Sequence, residues 1–570
     1  MSKRLMPFVL CAFATACSCG DRDRSPEPLP VVDLHDQALV NQTPHIPAQC
    51  YTKTLDGGDR AHNPCFVCHQ HPLEPNYTDD ADLQLSYAFP RGALRNPWTN
   101  LFVDRRAAIE RISDDEILDY VRRSNYLADD GSILLASKLS QVPAAWDVDG
   151  DGRWGGWIPD IHFSFDERGF DRMPGGGHTG WRAYAYHPFP GTFWPTNGSF
   201  GDALIRLPAA FREDETGRLD LSIYETNLAI VEAAITRRDV AIPATDERAL
   251  GVDLDGDGAL GEASIVKFRR NTPGGHRMSF VGRARTLLAQ GELHLEAGLF
   301  PEGTELAHSV RYLDVDGAGR PVIAARMKEL RYMVKRGWLT TGDLESNAWL
   351  EARDKRRNPH KLRRVGGNAE SGIGNRAGWR MQAFIEDASG DLRPQSREEH
   401  AFCVGCHSGV GATTDSVFSF ARKLPAQGGW FHWTKRGLAG VGERVRADGQ
   451  GEYAHYLEEN GAGDEFRANE ELIARFFGAD RKLRPEIREA LRHDVGELLL
   501  PSKARALALN KAYRLIVREQ SFVRGRDATI APVGNVHREL RLDEDEEAEP
   551  TGVESAVPGP YLKPVARTAK

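Results

Sequence analysis

The chain lacks the features that would set it in three common classes. With 73 Lys and Arg against 82 Asp and Glu, its formal net charge of -9 leaves no cationic surplus to neutralise a phosphate backbone. Nucleic acid is therefore excluded as the partner. Beyond the N-terminus, no segment approaches the roughly twenty apolar residues that a transmembrane helix needs. Cysteine is too unevenly placed for a disulfide framework. Of the 8 cysteines, Cys11, Cys17 and Cys19 fall in the first segment, four fall in two short repeated runs, and Cys50 is left over. Cys50 is either a partner for Cys19 or a free thiol. Methionine is scarce too: past residue 6 it occurs only at Met173, Met278, Met327, Met333 and Met381. No Ser-His-Asp grouping or phosphate-binding loop can be placed along the chain.

At the N-terminus, Lys3 and Arg4 precede the short apolar run from Leu5 to Ala16. That is the layout of a secretory signal, too short to span a bilayer. Ala14, Thr15, Ala16 and Cys17 resemble a lipobox, with Ala14 where Leu is usual. The expectation is export to the periplasm or cell envelope of a bacterium, with lipid on Cys17 as the sole membrane attachment. Ordinary cleavage nearby is the alternative.

The repeated runs are Cys65-Phe66-Val67-Cys68-His69 and Cys403-Val404-Gly405-Cys406-His407. Two thiols at this spacing meet the two vinyl groups of haem, and an imidazole beside the second thiol reaches the iron. Zinc would call for further cysteines or histidines at comparable spacing. The runs resemble those of c-type cytochromes, and the resemblance covers only these two segments. It implies two covalently bound haem c groups held by Cys65, Cys68, Cys403 and Cys406, with His69 and His407 as proximal iron ligands. With no Met after Cys406, a nitrogen ligand is expected on the distal face of the second haem. His432, set among Trp430, Phe431 and Trp433, is the first choice, against the alternative of a core or surface histidine. His62, His71 and His400 lie too near a proximal His in sequence to swing round to the far face. The first haem would need Met173 or a ligand from elsewhere.

Two loops suggest a second cofactor. Asp147, Asp149 and Asp151 with Gly152, and Asp253, Asp255 and Asp257 with Gly258, space alternate carboxylates as in the first half of an EF-hand. Calcium is the expected ion and plain Asp-Gly turns the alternative. Position twelve holds Ile158 or Ser264 where a Glu is usual, with Asp160 and Glu262 as nearby substitutes. Asp314 and Asp316 read as a turn. The Gly-His stretches at Gly175 to His178 and Gly274 to His276 read as turns or as the lining of a haem edge.

The expected fold is mixed, with mainly α-helical haem-binding segments around a loop-rich α+β central region. Its segments are a signal over 1–19, a flexible tether over 20–45, a first haem segment over 46–140, and the central region with the Asp-rich loops over 141–390. A helical second haem segment over 391–535 and a disordered acidic tail over 536–570 complete it. Functionally, the resemblance implies electron transfer with redox partner proteins. The long separation of the two runs keeps open an alternative: a peroxidase- or oxygenase-like dihaem oxidoreductase with one open iron for a small oxidant.

Overall fold

Among the described residues the longest strand, Pro321–Lys335, contains Met, Lys, Glu, Leu and Arg, good helix formers all. In the computed structural model it is extended because it has a partner on each side. Glu305–Val315 pairs with it as a hairpin, and Trp379–Glu386 runs along its other edge, both antiparallel. The hairpin turns at Asp316, where the Gly319 amide donates to the Asp316 carbonyl at 2.9 Å. Gly319 adopts a φ of 80°, open to glycine at no steric cost. The expected turn at Asp314 and Asp316 is thus a hairpin tip, with Asp314 accepting from Arg122.

The structure describes residues 32–35, 46–52, 54–55, 61–62, 65–69, 74–76, 89–191, 195–270, 277–358, 364–424, 426–446, 448–460, 467 and 469–540. Cys17, Cys19, His71, most of the 20–45 tether, the 274–276 loop and the acidic run 543–549 lie outside them.

Around the hairpin lies a 10-stranded antiparallel sheet. From the Trp379–Glu386 side it extends through Gly372–Gly374 to Gly366–Asn368. From the Glu305–Val315 side it extends through Leu204–Arg206 and His178–Ala183 to Phe170–Arg172. Leu392–Pro394 and Phe200–Gly201 add short pairings. A separate hairpin joins Val240–Asp246 to Glu262–Val266.

Both faces of the sheet are covered. On one, the helices Asp114–Arg122 and Lys503–Glu519 pack Ile117, Val121, Tyr513 and Ile516 against Tyr312, Val315, Ala324 and Ile385. Ser113 caps the first of these helices through the Glu116 amide at 3.0 Å, as its capping box predicts. Farther along the same face, the helix Leu221–Thr236, buried nearly all round, packs with Ile205, Leu306, Met333 and Met381. On the opposite face Leu330, Tyr332, Val334 and Phe384 meet Trp154, Trp157, Ile161 and Phe165.

This architecture corrects the expected mainly α-helical fold: the sheet, rather than helical haem-binding segments, organises the molecule. The physical reason lies in the covering. A strand buried on both faces shows no alternation of polar and apolar residues. Several buried positions also carry charge, among them Arg311, Lys328, Glu329 and Lys335. The run that looked loop-rich is the core of the fold.

Candidate functional site

The second Cys-x-x-Cys-His run ends the helix Arg397–Cys406. Ser396 and Glu399 form a reciprocal capping box at its start, and Arg393 grips the Glu399 carboxylate with two 2.8 Å bonds. Cys403 and Cys406 are free thiols one turn apart. Burial pushes the Cys406 thiol up to about 11, so it stays protonated. His407 follows as the C-cap, its amide donating to the Cys403 carbonyl at 3.0 Å.

The His407 ring is held by its Nδ1, 3.1 Å from the Ser416 carbonyl oxygen. A protonated Nδ1 donating there leaves Nε2 with the lone pair. Burial, reinforced by the Arg331 guanidinium, lowers His407 to about 4 and keeps the ring neutral. Ser416 and Asp415 both take positive φ, 63° and 51°, a conformation uncommon among non-glycine residues. Asp415 is held by a buried ion pair from Lys335 at 2.5 Å, with the Phe300 amide on the same carboxylate at 3.0 Å.

The first run forms a single helical turn, Cys65–Cys68. The Cys65 side chain lies outside the described residues. Cys68 and His69 line a cavity of about 620 Å³, and Cys403, Cys406 and His407 line the same cavity. Two runs remote in sequence therefore meet around one space.

The two Asp-rich loops have the same geometry. The leading carboxylate of each takes two backbone amides: Asp147 from Gly150 and Gly152, both at 2.9 Å, and Asp253 from Gly256 and Gly258 at 2.6 and 3.0 Å. Glu370 joins Asp147 and Asp149 in one cluster, and Glu247 joins Asp253 and Asp255 in the other. Both glutamates are buried. Asp151 and Asp257 stand outside these clusters and accept from Arg153 and Ala259 instead.

A lipoprotein family matches residues 34–493 of the chain. An uncharacterised lipoprotein of Aquifex aeolicus (strain VF5) is 32% identical over 566 residues, spanning 90% of this chain and 91% of its own. The chain belongs to this lipoprotein family. No solved structure matches it.

Membership places the lipoprotein at the cell envelope through a lipid. Among the described residues, no helix is long and apolar enough to cross a membrane. It also corrects the resemblance to c-type cytochromes. Relatedness along most of the chain goes to a lipoprotein, while the resemblance rested on two runs of a few residues. Such runs are local attachment chemistry and carry no information about the surrounding fold.

The histidines singled out in the sequence fall in different places. His432 does not line the cavity of the lipoprotein. Its Nε2 lies 3.1 Å from Asp202 and its Nδ1 2.9 Å from Thr434 Oγ1, and its ring stacks on Phe165. It partners a buried carboxylate. His400 is a core residue, accepting from the Ala383 amide at 2.6 Å. Met173 is exposed and away from the cavity, and Gly175 to Gly177 turn between two strands. His308, which the sequence does not mark, lines the cavity with its Nδ1 2.5 Å from the Asp202 carbonyl oxygen. Glu370 and Glu247 were equally hidden, since each comes from outside its loop.

Proposed function

We propose that this lipoprotein carries two haems, one joined through thioethers to Cys65 and Cys68 and the other to Cys403 and Cys406, and that it transfers electrons at the cell envelope. One observation carries the reading: both Cys-x-x-Cys-His runs line a single cavity, which is where two redox groups must sit to exchange electrons directly. The residues fit the group. Each protonated thiol can add its S–H across a vinyl group, and the His407 ring is fixed by Ser416 so that Nε2 can ligate. His69 has the corresponding place in the first run. When bound, haem supplies one-electron chemistry.

The chain's own part is to orient and shield. Phe189 and Phe418 pack together at the cavity, and Phe418 meets the His407 ring edge-on. His308 is the nitrogen donor proposed for the remaining face of the second iron in place of His432. Its ring is tethered at Nδ1 by a backbone carbonyl as that of His407 is, and burial favours its neutral form. The lipid is proposed on Cys17. Structural calcium is proposed at Asp147 and Asp149 with Glu370, and at Asp253 and Asp255 with Glu247, with Asp151 and Asp257 closing the two loops from outside these clusters. Redox partner proteins, or a small oxidant if one iron is open, complete the reading.

Mass spectrometry of the denatured, purified protein tests it. The expected mass exceeds that of the polypeptide by two haem groups, with iron found by metal analysis. A bare polypeptide mass, or zinc without iron, overturns it.

A further inference from the structure

Several charged residues that line the cavity are paired. Lys335 meets Asp415 at 2.5 Å, Arg467 meets Asp527 at 2.5 Å, and Arg422 meets Glu452 at 2.9 Å. Beside the second run, Lys328, Arg331 and Arg526 line the cavity around the Glu329 carboxylate. Glu329 accepts from Arg331 at 2.9 Å and from Arg526 at 2.8 Å. Although burial alone would raise it, those two guanidiniums hold Glu329 down at about 2. The two guanidiniums thus share one anion, while Glu386, Glu329 and Asp527 all act on the Lys328 ammonium.

Lys328 makes its contacts without meeting a carboxylate. Its Nζ donates to the Gly198 carbonyl at 2.6 Å and to Ser199 Oγ at 3.0 Å, and it lies 4.3 Å from the centre of the Tyr513 ring. Arg526 lies over the ring of Phe402, the residue before Cys403. A surplus of buried positive charge is costly unless an anion compensates it.

Two further atoms point the same way. The Tyr513 hydroxyl, on a residue 2% exposed, and the Nε of Arg526, 8% exposed, have no hydrogen-bond partner. Both residues line the cavity. Buried polar atoms without partners are uncommon and call for a guest that supplies one. Here both are donors, so the guest is an acceptor.

We propose that this end of the cavity is an oxyanion-binding pole, in which Lys328, Arg331, Arg526 and the Tyr513 hydroxyl receive a small planar carboxylate or oxoacid anion. Arg526 already donates through its terminal nitrogens to Glu329, Gln395 and the Glu399 carbonyl, so its Nε is the donor left for the guest beside the Tyr513 hydroxyl. The oxygens could belong to a free anion or to the propionate arms of haem. The second source rests on the haem reading and the first does not.

Sodium formate is the probe, titrated by calorimetry into the full-length purified protein, the Tyr513→Phe variant and the Arg526→Gln variant. Haem content and melting temperature are measured on each. For a free anion, formate binds saturably and about tenfold more weakly in the variants, as expected for losing one hydrogen bond to a charged group. For propionates, formate does not bind, but the midpoint potential of the second haem shifts in Tyr513→Phe at unchanged haem content. Arg526→Gln removes a partner of Glu329 and could unfold the chain. Tyr513→Phe keeps the ring and decides the matter alone. Formate binding equal in wild type and Tyr513→Phe, or no binding together with an unshifted potential, overturns the pole. If iron is absent the haem reading fails by itself, and the formate titration still decides for or against the pole.

Discussion

The carbonyl oxygen of Cys68 accepts a hydrogen bond from the amide of Ala412 at 3.1 Å. That bond ties the first Cys-x-x-Cys-His run to the loop following the second. Asn76 strengthens the tie. Its carboxamide nitrogen donates to Thr413 Oγ1 at 2.6 Å and to the Val410 carbonyl at 3.4 Å, and its oxygen accepts from the Ser416 amide at 3.4 Å. Since the Ser416 carbonyl orients His407, Asn76 from the first segment helps to position a ligand in the second.

Asn76→Ala should therefore destabilise the protein and disturb the second site at once. Leaving buried partners unpaired costs about 1–3 kcal/mol, which a urea unfolding curve reads as a lower midpoint at unchanged slope. The optical spectrum of the second haem should broaden as His407 loses its fixed orientation. An unaltered midpoint would show that the tie is carried by the backbone bond alone.

His308 and His432 make a discriminating pair. With haem bound, His308→Ala should convert a low-spin centre to high spin and open it to carbon monoxide. His432→Ala should leave the spectrum alone and instead lower stability by about 1–3 kcal/mol, because Asp202 loses a buried partner. Electron paramagnetic resonance and thermal melts on both variants measure this. A spin change in His432→Ala with none in His308→Ala would reverse the assignment.

The sequence was informative where chemistry is local. The Ser113 capping box, the repeated attachment runs and the matched Asp-rich loops each depend on residues a few positions apart, and each can be read directly. What joins them is non-local. Nothing in the run from Glu305 to Ser309 marks His308 as sharing a cavity with His407, because a sheet strand brings it there. His432 misled for a related reason: aromatic neighbours suit a haem pocket and equally suit the packing around a buried Asp202–His432 pair. The sheet itself was concealed by helix-forming and charged residues in Pro321–Lys335, whose partners on either side decide the conformation.

Calcium should stabilise the protein, since an ion that binds only the folded chain shifts the unfolding equilibrium by mass action. Adding a strong chelator is expected to lower the melting temperature by a few degrees, and excess calcium to restore it. Glu370→Gln and Glu247→Gln should each remove part of the response, the amide lacking the charge that completes a hard-cation site. A melt indifferent to both chelator and calcium would assign the loops to Asp-Gly turns.

The lipid anchor rests on Cys17. Cys17→Ser should move the protein from the membrane fraction to the soluble fraction while leaving its iron content unchanged. Fractionation followed by immunoblotting measures this, and a wild-type protein already soluble would contradict the assignment.

The last expectation concerns a proton on Lys328. Burial pushes its ammonium down to about 7, against the opposing pull of Glu386, Glu329 and Asp527 and with the help of Arg467. In the unfolded chain the same group keeps its ordinary value of 10.5. Between these two values the unfolded chain holds a proton that the folded chain has released, so stability from this group rises with pH across that window. Below about 7 both states are protonated and the slope vanishes. Anion binding runs the other way, because the pole loses a positive charge as Lys328 deprotonates. Urea unfolding and formate titration at half-unit steps from pH 6 to 9 should show stability climbing while affinity falls, with both trends turning near pH 7. Lys328→Met, which fills the space without a charge, should flatten both relative to wild type. Trends that persist in Lys328→Met would place the proton on another group, and a wild-type affinity independent of pH would remove Lys328 from the pole.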